Sequence, residues 1–183
     1  YLERRGFEVT YLDVDENGIV DLEQLKASIR PDTILISIMT ANNEIGTIEP
    51  IKEIGAIAKE HGILFHTDAV QAYGHIAIDV DEANIDMLSV SGHKFNGPKG
   101  IGFLYIRTGV KIGSFIHGGA QERKRRAGTL NVHGIVGIKK AIPANPAAIK
   151  LCIAIIQARF VFIRSTKGLH RGLIIQGRYS QEV

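Results

Sequence analysis

The apolar positions of the first 110 residues fall into two patterns. Short runs of apolar and β-forming residues predict strands at residues 8–13, 33–39, 63–67, 86–90 and 100–106. Apolar residues spaced three and four apart predict two helices, at residues 21–29 and 50–62. Strands that alternate with helices of this length are typical of an α/β domain built on a layered sheet.

Three loops of this pattern carry more polar groups than a plain connection needs: residues 40–47, 68–74 and 91–99. All three follow strands, and ligands of such sheets bind at the carboxyl ends of strands. In the first loop, Asn42 and Asn43 offer two adjacent amides to a ligand. The same pair is typical of a turn in which the amides bond the backbone, so the sequence leaves both interpretations open.

In the second loop, Asp68 directly follows a buried strand. A carboxylate there must be paired or hydrogen-bonded, or its pKa rises. A protonated ring nitrogen of a ligand such as pyridoxal 5′-phosphate (PLP) is one partner, and the amides of a following helix are another. A metal site of His66, Asp68 and His75 has suitable ligand types, but their spacing matches no recognised pattern, so we predict no metal.

The third loop places Lys94 just beyond strand 86–90, close to Ser91 and His93. A lysine near an apolar site loses its proton more easily and can form a Schiff base, although a solvated lysine in a turn is the common alternative. Taken with Asp68 and Gln71, it predicts a PLP site. Lys94 would bind C4′ of PLP, Asp68 would keep the ring nitrogen protonated, and Gln71 would contact the phenolic oxygen.

Four segments in combination match a known family: residues 40–47, 66–71, 91–100 and 126–132, with Asn-Asn-Glu-Ile-Gly in the first and Ser-Gly-His-Lys in the third. Over residues 1–138 the chain resembles cysteine desulfurases, which are PLP enzymes of the class V aminotransferase group. The resemblance implies the aspartate aminotransferase type of fold, a three-layer α/β sheet with helices on both faces. The chain would hold an incomplete large domain of that fold.

The resemblance also implies a role for each matched residue. Lys94 resembles the Schiff-base lysine, Asp68 the partner of the ring nitrogen, and Gln71 the ligand of the phenolic oxygen. Asn43 resembles a residue near that oxygen and the substrate.

Three further positions match residues around the cofactor phosphate. Ser91 and His93 resemble residues that contact the phosphate and its surroundings, and we place His93 with Lys94 among the candidate catalytic residues. Thr129 resembles a residue that reaches the phosphate across a dimer interface.

The reaction implied by the resemblance converts L-cysteine to L-alanine. Its sulfur leaves as a persulfide on a catalytic cysteine and goes to a sulfur-acceptor scaffold protein for iron–sulfur cluster and thio-cofactor assembly. The implied partners are therefore L-cysteine, that acceptor and a second copy of the chain. A selenocysteine lyase, which shares these motifs, is the alternative enzyme.

Charge changes the picture in the last quarter of the chain. Residues 1–138 hold 14 Lys and Arg against 18 Asp and Glu, whereas residues 139–183 hold eight against one. Pro143 and Pro146 interrupt the helix predicted from Lys139. We predict a central part of a PLP-binding large domain at 1–138 and a divergent basic tail at 139–183. A frameshift would explain the tail; a genuine RNA-binding or acid-binding segment is the rival, although the tail has no RNP-like motif.

The only cysteine, Cys152, lies in an apolar run without a neighbouring base, which predicts a buried, inert thiol. One cysteine among 183 residues excludes an internal disulfide framework and suits a reducing compartment, so we predict a cytoplasmic protein. No apolar run reaches the ~18 residues of a membrane span. We expect a truncated desulfurase without its catalytic cysteine, and the alternative is an inactive fragment or pseudogene product.

Overall fold

The fold is described from a computed structural model of the chain, which defines residues 1–142 and 172–176. The predictions made for Pro143, Pro146 and Cys152 lie outside the described residues, as does most of the basic tail.

The strands are β1 (Glu8–Tyr11), β2 (Thr33–Ser37), β3 (Leu64–Asp68), β4 (Met87–Ser91), β5 (Gly102–Ile106) and β6 (Leu173–Gln176). The helices are α1 (Leu22–Ala27), α2 (Ile51–Glu60), the single turn α3 (Gln121–Lys124), in which three residues have left-handed φ, and α4 (Val132–Ala141). Two short 3₁₀ helices span Glu3–Arg5 and Gly92–Phe95. All five predicted strands and both predicted helices are present, and their ends lie within two residues of the predicted ones.

The six strands form one mixed sheet in the order β1-β6-β2-β3-β4-β5. β2, β3 and β4 are parallel to one another, and β5 is antiparallel to β4. The carboxyl ends of the three parallel strands therefore meet at one edge of the sheet, where the turns that carry Asp68 and Lys94 lie. This mixed sheet with packed helices confirms the predicted α/β class.

The helices bury their apolar residues in one large cluster. Leu25 of α1, Ile54 of α2 and Ile138 of α4 join Ile36 and Phe65 of the sheet in this core. Asp21 caps α1 by accepting hydrogen bonds from two backbone N–H groups, which explains why that helix begins where the sequence predicts.

The other face of the sheet carries a smaller apolar cluster around Met87 and Ile106. A cleft of about 350 Å³ lies on this face, and the N-terminal residues Tyr1, Leu2 and Glu3 contribute to its lining. Among the described helices, none is long and apolar enough to cross a membrane.

The tail strand β6 lies between β1 and β2 and is antiparallel to both. Ile174 is fully buried in the main core, and the Gln176 amide donates a hydrogen bond to the Ser28 carbonyl at 3.0 Å. Helix α4 runs across the predicted boundary between residues 138 and 139. That division of the chain, and the frameshift offered for it, stay predictions.

Candidate functional site

The turns after β3 and β4 lie side by side at the carboxyl edge of the sheet. Asp68 at the end of β3 pairs in register with Ser89 of β4, and the Ala69 N–H donates to the Ser89 carbonyl at 2.9 Å. Ser91 ends β4, and Lys94 follows within the 3₁₀ helix Gly92–Phe95. The strand pairing thus brings the Asp68 and Lys94 turns to one edge.

The loop of residues 40–47 joins the same edge, because the Thr40 N–H donates to the Asp68 carbonyl at 2.8 Å. Its two amides do different things. Asn42 is buried, and its Oδ1 accepts from the N–H groups of Glu44 and Ile45 at 2.8 and 3.0 Å. Asn43 is exposed, so the interpretation as a turn holds for Asn42, and the predicted ligand role of Asn43 stays a prediction.

The Asp68 carboxylate is half-buried and accepts a hydrogen bond from the Val70 N–H at 2.8 Å. Burial raises the pKa of Asp68, and the Val70 N–H offsets part of that rise. Asp68 thus bonds the backbone of the segment that follows it, but that segment is a series of turns and not the helix that the capping interpretation predicted. A cationic partner would stabilise its charged form further, which suits a protonated ring nitrogen.

Gln71 stands three residues after Asp68 and is half-buried. Within the described part of the chain, its amide makes no hydrogen bond. Both its donor and its acceptor are therefore available to a ligand atom.

The backbone around Lys94 is held on several sides. The Gly92 N–H donates to the Ile101 carbonyl, and the Gly97 N–H donates to the Gly92 carbonyl, each at 2.9 Å. Asn96 closes the turn in the left-handed conformation with φ 66°. The Lys94 side chain is exposed, and its amine has no hydrogen bond or ion pair to any described residue. The structure thus leaves the amine free on a fixed turn.

Ser91 and His93 form a polar pair beside Lys94. The Ser91 Oγ and the His93 Nδ1 are 2.9 Å apart, which restricts the orientation of the exposed imidazole. A hydroxyl and an imidazole next to a free amine are groups that can bind a phosphate or an aromatic ring.

Thr129 lies apart from this group. It is exposed in the loop before α4, and in the described part of the chain no hydrogen bond links it to the Asp68 or Lys94 turns. Helix α4 itself packs beside the Lys94 turn. Gly137 of α4 is so close to Pro98 that a Cβ added to it would lie 2.5 Å from the proline ring. A role for Thr129 across a dimer interface stays a prediction.

From the sequence, His66 is predicted only as a possible metal ligand. In the structure its ring, on β3, forms hydrogen bonds to both neighbouring strands, β2 and β4. Its Nδ1 lies 2.7 Å from the Ser37 Oγ, and its Nε2 lies 2.8 Å from the Ser89 Oγ. Burial lowers the pKa of His66 to about 4, so the ring is neutral at neutral pH. The available signal was a serine in each of the two neighbouring, largely apolar strands, Ser37 in β2 and Ser89 in β4.

His75 was likewise considered only as a metal ligand. Its Nε2 lies 3.0 Å from the Lys94 carbonyl oxygen. Among residues 1–142 and 172–176, no group of three or more His, Cys, Asp or Glu is placed to hold a metal ion.

Known proteins resemble this chain in sequence and in structure. The family model described as Aminotransferase class-V matches residues 1–154, so the chain belongs to the class V aminotransferase family, which is PLP-dependent. It is 67% identical over 150 residues to "Cysteine desulfurase IscS" of Methanosarcina thermophila, covering 82% of this chain and 37% of that relative. It is 49% identical over 187 residues to "Cysteine desulfurase IscS" of Ehrlichia chaffeensis, covering 100% of this chain and 46% of that relative.

A solved structure described as "SspA in complex with cysteine" has a TM-score of 0.75 and 50% sequence identity. The match covers 77% of this chain and 41% of that one. The predicted resemblance to cysteine desulfurases is confirmed, and the fold is that of part of their PLP-dependent domain. The chain spans less than half the length of these relatives.

Proposed function

We propose that the chain carries the PLP-binding edge of a cysteine desulfurase and holds PLP through Lys94. The observation that carries the proposal is a Lys94 amine without a partner among the described residues, on a turn at the same sheet edge as the half-buried Asp68 carboxylate. An unpaired amine is available to a carbonyl carbon, and a carboxylate whose pKa is raised by burial is stabilised by a cationic ring nitrogen. The two groups therefore suit opposite sides of one pyridine aldehyde.

The remaining donors fit the same group. The Gln71 amide, which bonds no other described residue, suits the phenolic oxygen, and Ser91 with His93 provides a hydroxyl and an imidazole for the phosphate and its surroundings. Asn43 would lie near the phenolic oxygen and the substrate, and Thr129 would reach the phosphate from a second copy of the chain. Bound PLP would supply an electron sink for carbanion chemistry.

For the whole protein we propose L-cysteine as substrate, a scaffold protein as sulfur acceptor and the cytoplasm as location. Support comes from the relatives described as cysteine desulfurases and from the SspA structure described as a complex with cysteine. These features concern the full-length relatives, of which this chain spans 37 to 46%. PLP binding at Lys94 is the part that this chain can test by itself.

The test is reduction of the protein with borohydride in the presence of limiting PLP, followed by peptide mapping. Reduction fixes a lysine–PLP adduct irreversibly, so the label reports which amine forms it. We expect the label mainly on Lys94 and not on Lys99, a second exposed lysine of the same loop. Equal labelling of these two lysines would contradict the proposal.

A further inference from the structure

We propose that His75 is a positioning residue that orients Lys94 toward the ligand at this edge. The proposal rests on the proposed function, because it assumes that Lys94 is the amine that binds PLP. It concerns a contact between two segments that both belong to the site: the turn after β3, which begins at Asp68, and the turn after β4, which contains Lys94.

The contact is a hydrogen bond with a fixed direction. The His75 Nε2 lies 3.0 Å from the Lys94 carbonyl oxygen, and a carbonyl oxygen only accepts. His75 must therefore carry its proton on Nε2 and donate it. This bond holds the peptide group that immediately follows the Lys94 Cα, and so limits the directions in which the side chain can start.

His75 itself stands on a rigid segment. The Tyr73 N–H donates to the Ala69 carbonyl at 2.8 Å, and the N–H groups of His75 and Ile76 both donate to the Ala72 carbonyl, at 3.0 and 2.9 Å. Asp68 directly precedes this coiled segment. The position of the His75 ring is therefore set by the same backbone that places the Asp68 carboxylate.

A second contact joins the same two segments one residue further along. The Tyr73 ring meets the Phe95 ring edge to face with a centroid separation of 4.9 Å, and it meets the Phe103 ring at 5.2 Å. The Lys94 carbonyl and the side chain of the next residue, Phe95, are thus both held against the turn that begins at Asp68. The Lys94 amine remains without a partner among the described residues. This combination fixes the distance between the carboxylate and the base of the lysine side chain, and leaves the amine free to react.

His75 is exposed, so its replacement removes this hydrogen bond without opening a cavity in the core. His75→Ala loses the donor, whereas His75→Gln keeps an N–H donor at a similar reach. His61→Ala is the matched control, because the exposed His61 ring also bonds a carbonyl, that of Ile57 at 2.9 Å in α2, away from the site.

The first measurement is the ratio of borohydride-trapped PLP on Lys94 to that on Lys99. We expect the ratio to fall about fivefold in His75→Ala, to return to within about twofold of the original in His75→Gln, and to stay unchanged in His61→Ala. A ratio in His75→Ala that equals the original would overturn the proposal. Rescue by the glutamine variant distinguishes the hydrogen bond from mere loss of ring packing.

The second measurement needs no PLP and separates this proposal from the proposed function. Amide hydrogen exchange of a peptide spanning residues 91–99 should become faster in His75→Ala and should not in His75→Gln or His61→Ala. Unchanged exchange in His75→Ala overturns the positioning role even if Lys94 is the labelled lysine. Faster exchange without preferential labelling of Lys94 supports the contact but overturns the assignment of Lys94.

Discussion

Two regions of the molecule are predicted to serve one cofactor, yet they are built in opposite ways. The first region comprises the turns that carry Asp68 and Lys94. The second region, called the Thr129 loop, runs from α3 to the start of α4, residues 121–132. Around Lys94, backbone groups bond to Ile101 and to His75. In α3, by contrast, three successive non-glycine residues, Glu122, Arg123 and Lys124, have φ of 50°, 57° and 65°. The left-handed conformation costs about 1–2 kcal/mol for each such residue. The backbone of the first region is held by hydrogen bonds within one chain, whereas the second region contains three strained residues.

The Thr129 loop also contains one buried polar atom without a partner among the described residues. Within the described residues, the Arg126 Nε is buried without a hydrogen-bond partner. Large apolar side chains on either side of this loop are exposed, among them Phe115, Val132 and Val136. Strain of this kind persists where surrounding contacts enforce it. This difference agrees with the proposal that Thr129 acts across an interface with a second copy of the chain.

The largest effect should come from adding a methyl group between β4 and β5, beside the Lys94 turn. A Cβ on Gly102 would lie 2.2 Å from the Val90 carbonyl oxygen, so Gly102→Ala must push β5 away from β4 next to Ser91. We expect a loss of at least about 3 kcal/mol in the free energy of unfolding, measured by urea denaturation.

The control for that variant lies in a more open part of the chain. A methyl group added to Gly113 would meet no heavy atom within 4 Å, so Gly113→Ala should change the free energy of unfolding by less than about 0.5 kcal/mol. If the two variants are equally stable, β4 and β5 do not constrain the Lys94 turn as described.

A somewhat smaller effect should follow from acid. The pKa of His66 is about 4 in the folded chain and 6.5 without burial, so the unfolded chain binds more protons between these values. Folding stability should therefore fall as the pH drops from about 6.5 to about 4, by about 2–3 kcal/mol from this group.

His66→Gln isolates this contribution, because a glutamine amide can bond the two serines and does not titrate. The difference in unfolding free energy between pH 7 and pH 4, measured by urea denaturation, should shrink by the stated amount in the variant. An identical pH dependence in both proteins would show that the buried ring does not remain neutral.

The smallest effect should have the opposite sign and lie in the second region. Arg123→Gly relieves one left-handed residue and should raise the free energy of unfolding by about 1 kcal/mol. Lys59→Gly, at an exposed position of α2, should lower it by about the same amount because glycine weakens a regular helix. Thermal or urea unfolding measures both free energies. A loss of stability in Arg123→Gly would show that the left-handed backbone at this position is not strained.

The difference between the two regions also explains what could be predicted from the sequence. The strands of the site have clear apolar periodicity, and strand order in α/β folds brings their carboxyl ends together, so Asp68 and Lys94 could be placed at one edge. The contacts of His66 and His75 join residues 19 to 29 positions apart, and no periodicity reports such pairs. They become visible only once the register of β2, β3 and β4 is known.

Two other features escaped prediction for related reasons. The left-handed stretch at residues 122–124 has no glycine, which is the residue that normally signals such backbone. Strand β6 lies in a segment whose basic composition dominated its interpretation, although Ile174 and Ile175 are β-forming residues and are buried. Its place between β1 and β2 depends on pairing with strands more than 130 residues away.

The central claim is that Lys94 is the amine that binds PLP, and an absorbance titration tests it most directly. The original chain should develop a band at about 420 nm that saturates with added PLP, as expected of a lysine Schiff base with this cofactor. Lys99→Ala should keep that band, and Lys94→Ala should show none. An equal band in Lys94→Ala, or no band in the original chain, would contradict the account.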